Sequence, residues 1–355
     1  MFTVILFIIV LIVLILIHEI GHFFTAKFFG IKIEEFGLGF PPRIFIWGKG
    51  ETKYSLNYLP FGGFVKIKGE NGEKNKDLDS FSSRPFFQRS MVLVAGVFMN
   101  FLLAAILFSV GFFIGLPTID QEQGKELQNA KVKIIQVAKE SPAEIAGLKS
   151  GDNILEIKST KSSIIIKNVE DAQNYVNEHK GEYIILKIER KEKIFEKEVL
   201  ARENYKINEG SIGISLAKME IVSYPWHLSL IQGFKKAVLN FVAIIVAIII
   251  LIKDLIVSGE VSGDIVGPVG IARLTGQFYY LGLSYLISFV GILSLNLAVL
   301  NILPIPALDG GRLFFAIIEK IRKKAINKEV EEKIHGAFFI ALILLLIIIT
   351  IGDVF

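Results

Sequence analysis

The chain has no cysteine and only five histidines among its 355 residues. Without cysteine there is neither a disulfide nor a thiolate metal site, and the redox compartment stays open. Charge of one sign is also scarce. The 39 Lys and Arg against 35 Asp and Glu leave a formal net charge of +4, too small an excess to indicate a nucleic-acid partner. Charged residues are missing altogether from Met1 to Ile17. A secretory leader would need a basic start and a small-residue cleavage site. This run has neither and stays apolar to Phe29, so it reads as a retained membrane span.

Apolar residues are in excess: 52% of the chain is hydrophobic and 29 residues are Phe. They come in blocks, which describes a polytopic α-helical membrane protein with one polar insert. Two of the five histidines close the first block, in His18-Glu19-Ile20-Gly21-His22. On a helix, positions four apart share a face, so both imidazoles can reach one metal ion. Glu19 stands beside them, placed to take a proton from a water that the metal activates. Two histidines and a carboxylate in a membrane helix are costly to keep, which marks the segment as a functional site.

Taken in order, residues 1–29 form the first span. Residues 30–88 are polar, basic and Gly-rich, with strand-like pieces at 36–40, 53–58 and 61–68. Alternating aromatic and branched residues broken by Gly and Pro read as hairpins dipping into the membrane boundary. An exposed strand edge there could hold an extended substrate by strand addition. Residues 89–117 form the second span, with Asn100 as its one strongly polar interior residue, read chiefly as a helix-packing hydrogen bonder. Residues 118–217 alternate short Ile/Val runs with Lys and Glu, a β-rich module with two short helices. Residues 218–280 hold about fifteen apolar residues around Asn240, at 238–252, short for a span and better suited to a helix lying on or part-way into the membrane. Residues 281–311 form the third span, 312–335 a basic loop and 336–355 the fourth span.

By the positive-inside rule, the Lys/Arg-rich segments 27–89 and 312–333 are cytoplasmic and the β-rich insert lies outside. Residues 238–252 then add no crossing by themselves. The spans beginning near Met1 and Leu281 both run inward, which sets Asp309 at the depth of His18 and His22. A catalytic zinc takes three protein ligands, and Asp309 is the best-placed third. A downstream helical glutamate, Glu319 or Glu331, is the alternative.

Four features together resemble the site-2 proteases. They are the HExxH in the first span, Ser141-Pro-Ala-Glu-Ile-Ala-Gly-Leu-Lys-Ser-Gly-Asp152 in the insert, Gly267-Pro-Val-Gly-Ile-Ala272, and Asn301-Ile-Leu-Pro-Ile-Pro-Ala-Leu-Asp309-Gly. The nearest likeness is to the bacterial regulator-of-sigma-E-protease group, and it covers nearly the whole chain. The resemblance implies a zinc-dependent intramembrane endopeptidase with His18, His22 and Asp309 as Zn2+ ligands and Glu19 as catalytic base. It implies Asn301 on the substrate backbone or transition-state oxygen, and a reentrant β-hairpin whose Gly62, Gly63 and Phe64 hold the substrate. The fold implied has four spans, that hairpin, and one extracytoplasmic PDZ-like α+β domain with a peptide as its possible ligand. Some members carry two PDZ domains, and this insert has room for one. The implied partners are the lipid bilayer and a single-span membrane protein, such as an anti-sigma factor or signal-peptide remnant, cut in the inner (plasma) membrane. A non-enzymatic transporter or scaffold with a structural metal is the competing class.

Overall fold

The structure, a computed structural model, describes residues 2–48, 50–70, 77–119, 129–160, 162–205, 210–257, 259, 266–324 and 326–354. In chain order it begins α1 (Phe2–Phe28), β1 (Ile33–Trp47), β2 (Lys53–Ile67) and α2 (Phe86–Ile114). A β-rich stretch follows: β3 (Leu116–Ile119), β4 (Lys131–Val137), α3 (Pro142–Ile145), β5 (Asn153–Lys158), β6 (Ser163–Ile165), α4 (Val169–Glu178), β7 (Tyr183–Arg190), β8 (Lys193–Leu200) and β9 (Ile214–Val222). The remainder is helical: α5 (Trp226–Val257), α6 (Pro268–Leu281), α7 (Leu283–Ile302), α8 (Asp309–Arg322) and α9 (Lys328–Val354). Two compact units result. One comprises Met1–Phe113, Pro225–Tyr280 and Leu286–Phe355; the other comprises Ile114–Tyr224 with Leu281–Tyr285.

Five helices among the described residues are long and apolar enough to cross a membrane: α1, α2, α5, α7 and most of α9. With no water to satisfy the backbone, helix is the form such segments must take. α1 ends where Gly30, at φ +64°, lets Ile31 N–H reach back to the Ala26 carbonyl at 2.9 Å and Gly30 N–H to Lys27 at 3.0 Å. That is the glycine-terminated double bond of a Schellman cap. α1 and α2 approach closely at Gly21, where an added Cβ would fall 2.4 Å from the Ala95 carbonyl oxygen. α7 joins α2 through Ser294 Oγ, which donates to the Asn100 carbonyl at 2.8 Å.

The sequence reading of 238–252 as too short for a span is corrected by α5. Residues 238–252 lie inside one continuous 32-residue helix, so among the described residues five helices rather than four meet the length and composition of a span. The flanking charges do not end it. Lys236 is buried with its ammonium 5.8 Å from the centroid of the Phe108 ring, and helix continues through Lys253 and Asp254. α5 starts beside the end of α2, where Gly233 leaves no room for a Cβ against Ser109. α6 lies at the start of α1, with Gly276 against Thr3 and Tyr279 against the Phe2 ring. Asp353, near the end of α9, accepts from the Gly267 and Gly270 amides at 3.0 and 2.8 Å and so caps α6.

The hairpin folds back on itself. Glu35, Phe36, Gly37 and Leu38 of β1 face Lys53, Tyr54, Ser55 and Leu56 on one side and Lys66, Val65, Phe64 and Gly63 on the other. Residues 63–67 therefore form an outer edge. Arg43 grips buried Glu35 through two bonds of 3.2 and 2.6 Å, and Asn57 Nδ2 donates to the Leu38 and Gly39 carbonyls. Ile44, Phe45, Ile46 and Trp47 stand exposed at the tip.

The second unit is a sheet of order β3-β9-β4-β5-β7-β8, with β6 added to β5. Alternation places Ile184, Leu186 and Ile188 of β7 inward, fully buried with Ile134, Ile154 and Ile157. Ser141 caps α3, accepting from the Glu144 amide, and Pro142 follows at the first helical position. Asp152 is wholly buried, but Arg190 donates to it twice, at 2.6 and 2.7 Å, and the Lys149 amide adds a bond of 2.9 Å.

Candidate metal centre

His18 and His22 lie one turn apart on the α1 face turned to α2, and both are buried. They can lie there because α2 presents Gly96 to them. A Cβ at that position would come within 2.6 Å of His18 Cε1 and His22 Nε2. Asp309 arrives as the first residue of α8, behind the 303–308 link from α7. Its Oδ2 lies 2.9 Å from His18 Nε2 and 3.2 Å from His22 Nε2, and the two Nε2 atoms are 3.2 Å apart. The cluster spans 291 residues of sequence.

These distances test the fit of a metal. Bonds of about 2.0–2.1 Å to a tetrahedral zinc put its ligand atoms roughly 3.3 Å apart, close to all three separations. The protonation pattern agrees. His22 Nδ1 donates to the Val92 carbonyl at 2.8 Å, leaving its Nε2 a lone pair. His18 Nδ1 lies 3.4 Å from the Asn100 amide, whose Oδ1 has no hydrogen-bond partner among the described residues. Turning that amide over lets Oδ1 accept from His18 Nδ1–H, which leaves His18 Nε2 a lone pair as well. Two lone pairs and a carboxylate oxygen facing one another suit a cation between them.

Glu19 is half-buried, on the neighbouring face of α1. The hairpin edge comes to it: a Cβ added at Gly63 would lie 3.4 Å from Glu19 Cγ and 3.5 Å from Ile15 Cγ2. Gly62 sits at φ +124°, and the Phe64 ring covers Gly37 so closely that a Cβ there would meet it at 2.3 Å. Asn301 stands half-buried in the last turn of α7, eight residues before Asp309.

Neither alternative third ligand joins the cluster. Glu319 pairs with Arg89 at 3.2 Å and accepts from the Ile326 amide, while Glu331 lies 3.9 Å from His335. Two further residues stand at or beside the site. The sequence marks Asn100 as the one strongly polar interior residue of its span, and that signal fits its place beside His18 as well as helix packing. Glu70, just beyond β2, pairs with Arg312, three residues after Asp309. Burial pushes its carboxyl above the ordinary value while the Arg312 guanidinium opposes the rise. A cavity of about 980 Å³ opens beside this pair, lined also by Arg89, Ala307 and His335.

Two imidazoles and a carboxylate at zinc-like spacing, next to a helix-borne glutamate, make a candidate metallopeptidase centre. The comparison with known proteins reaches the same class over the whole chain. Residues 6–346 match Peptidase family M50, and the chain belongs to that family. A protein named as a zinc metalloprotease in Clostridium perfringens is 36% identical over 345 residues, 96% of this chain and 95% of that one. Another so named, in Fusobacterium nucleatum, is 34% identical over 352 residues, covering 96% and 95% of the two chains. The zinc metalloprotease RasP of Geobacillus kaustophilus is 28% identical over 445 residues, covering 99% and 97%.

Proposed function

We propose that this chain is a zinc-dependent intramembrane endopeptidase that cuts the transmembrane segment of single-span membrane proteins. The observation that carries the reading is the convergence of His18, His22 and Asp309 at 2.9–3.2 Å from segments within or next to two apolar, span-length helices. His18 Nε2, His22 Nε2 and the Asp309 carboxylate hold the zinc. When bound, it supplies an acidified water and polarises the scissile carbonyl. Glu19 takes a proton from the attacking water and passes it to the departing amide nitrogen. Asn301 hydrogen-bonds the substrate backbone or the oxygen on which charge develops.

A transmembrane helix satisfies its own backbone, so its peptide bonds must be unwound before they can be cut. The 63–67 edge supports a means of doing so. A substrate strand added there, along Gly62, Gly63 and Phe64, trades helical bonds for ladder bonds next to Glu19. Gly62 and Gly63 put no side chain on that edge. Anti-sigma factors or signal-peptide remnants, already trimmed on their outer side, fit such a site. The β-rich unit is read as one PDZ-like domain outside an inner (plasma) membrane, and a peptide is its ligand. The neighbourhood of α5's start with the end of α2, and of α6 with the start of α1, supports a topology in which residues 226–281 add no net crossing.

The test uses purified protein in detergent with a single-span substrate. Glu19→Gln should lower cleavage by about 10²–10⁴-fold while zinc content stays at one per chain. Undiminished cleavage by that variant would sink the assignment.

A further inference from the structure

Of the five histidines, His335 on α9 is a partly buried imidazole with no role in the chemistry above. Its Nδ1 lies 2.7 Å from the backbone nitrogen of Ala307, two residues before Asp309. Ala307 is itself unusual, at φ +80° with a Cβ, in a region that L side chains rarely adopt. It sits in a turn wound tightly around the start of α8. Cβ atoms at Gly310 and Gly311 would fall 2.1 Å from the Leu303 oxygen and 2.4 Å from the Ile305 oxygen. Pro304 and Pro306 have no N–H to donate, and Ile305 N–H is spent on the Leu303 carbonyl. Ala307 N–H needs an acceptor outside the turn, and His335 Nδ1 is that acceptor.

This bond sets the tautomer of His335, with the lone pair on Nδ1 and the proton on Nε2. Nε2 gains nothing from the arrangement. It is buried without a hydrogen-bond partner among the described residues, and Glu331 Oε1 stays 3.9 Å away. The Phe315 ring, 5.3 Å off, packs against the imidazole from α8. We propose that His335 is a positioning residue for the metal centre, holding the strained Ala307 turn so that the Asp309 carboxylate meets both histidines. Without that acceptor the turn relaxes toward an ordinary negative φ, and Asp309, two residues on, leaves the 2.9–3.2 Å contacts that the site requires. The inference rests on the reading of His18, His22 and Asp309 as the zinc ligands.

The test is a zinc titration of the full-length protein in detergent against a competing fluorescent chelator, with thermal unfolding run alongside. Asn places its Oδ1 close to where Nδ1 stood, whereas Gln carries its oxygen one bond further. His335→Ala and His335→Gln should bind zinc about 10–100-fold more weakly, as loss of outer-shell partners does, and His335→Asn should stay within about threefold of wild type. Equal affinity in His335→Ala and wild type overturns the proposal. So does an Asn variant no better than the Gln variant, and that pair decides the matter if the Ala variant does not fold. Asp309→Ala in the same titration separates the two layers. If it keeps wild-type affinity, the ligand reading fails and this inference with it. If Asp309→Ala loses zinc and His335→Ala does not, only this inference fails.

Discussion

Both units bury charged or polar groups, and they satisfy them in opposite ways. In the β-rich unit, Asp152 is answered from nearby, by Lys149 three residues on one side and Arg190 thirty-eight on the other. The carboxylate is fully bonded, and the rest of the core is Ile, Leu, Val and Ala with Tyr175. In the helical unit, His18, His22, Asn100, Val92 and Asp309 are joined across 70, 82 and 291 residues. There two imidazole Nε2 atoms and a carboxylate oxygen face one another at 2.9–3.2 Å. A polar group kept to complete a fold is satisfied by the fold. A polar cluster whose free lone pairs converge is kept for something it binds.

Four substitutions sharpen that contrast, and the largest effect belongs to the cluster. Asp309→Ala should weaken zinc binding by ~100-fold or more, exceeding what outer-shell changes cost, while hydrogen exchange in β4, β5 and β7 stays as in wild type. Gly96→Ala comes next. Its methyl would overlap both imidazoles at 2.6 Å, and a displacement of about 1 Å at a catalytic group costs ~10²-fold in rate. Cleavage assays should show that loss, with the β-rich unit again unmoved.

Asp152→Ala reverses the pattern. Removing this buried carboxylate leaves Arg190 with the Gly147 carbonyl alone and the Lys149 amide without its acceptor, and should destabilise the β-rich unit by about 1–3 kcal/mol. Hydrogen exchange localised to β5 and β7 would report it, and zinc affinity should not change. If zinc is lost with Asp152→Ala, the separation drawn between the units fails. The smallest effect concerns acid. Lys131 at 2.6 Å, followed by Asn153 at 3.0 Å, holds the Glu189 carboxyl below its ordinary value of 4.5. As pH falls the unfolded chain takes this proton first, so the contribution is present above 4.5 and disappears as pH drops through the lower folded value. Glu189→Gln should flatten that acid limb by under ~1 kcal/mol, measured as exchange rates in β4 and β7 between pH 6 and 3.

Much of the local structure was readable because it depends on near neighbours. The run to Ile17 calls for helix, and the i, i+4 step puts His18 and His22 together whatever surrounds them. Alternation from Tyr183 and from Lys193 marks β7 and β8, and Ser141-Pro142 marks the start of α3. The strands β3 and β6 have only four and three residues, too few for a period to show. The length of α5 does not show in the apolar run 238–252, because Lys236 before it is buried against the Phe108 ring and the helix runs on through Lys253 and Asp254 after it.

By itself, then, the sequence determined that two histidines share one face of a membrane-length helix with a glutamate beside them. It also pointed to Asp309 through matching depth, which sets a level along the helices but not a distance. Tertiary structure decided the partners. Gly21 and Gly96 bring α2 close enough for Asn100 and the Val92 carbonyl to set the two imidazoles. The turn at Ala307, tied to His335, carries Asp309 rather than Glu319 or Glu331 to within 3.2 Å of both histidines. Helix spacing is local and follows from the chain. Which helices touch, and through which side chains, follows only from packing.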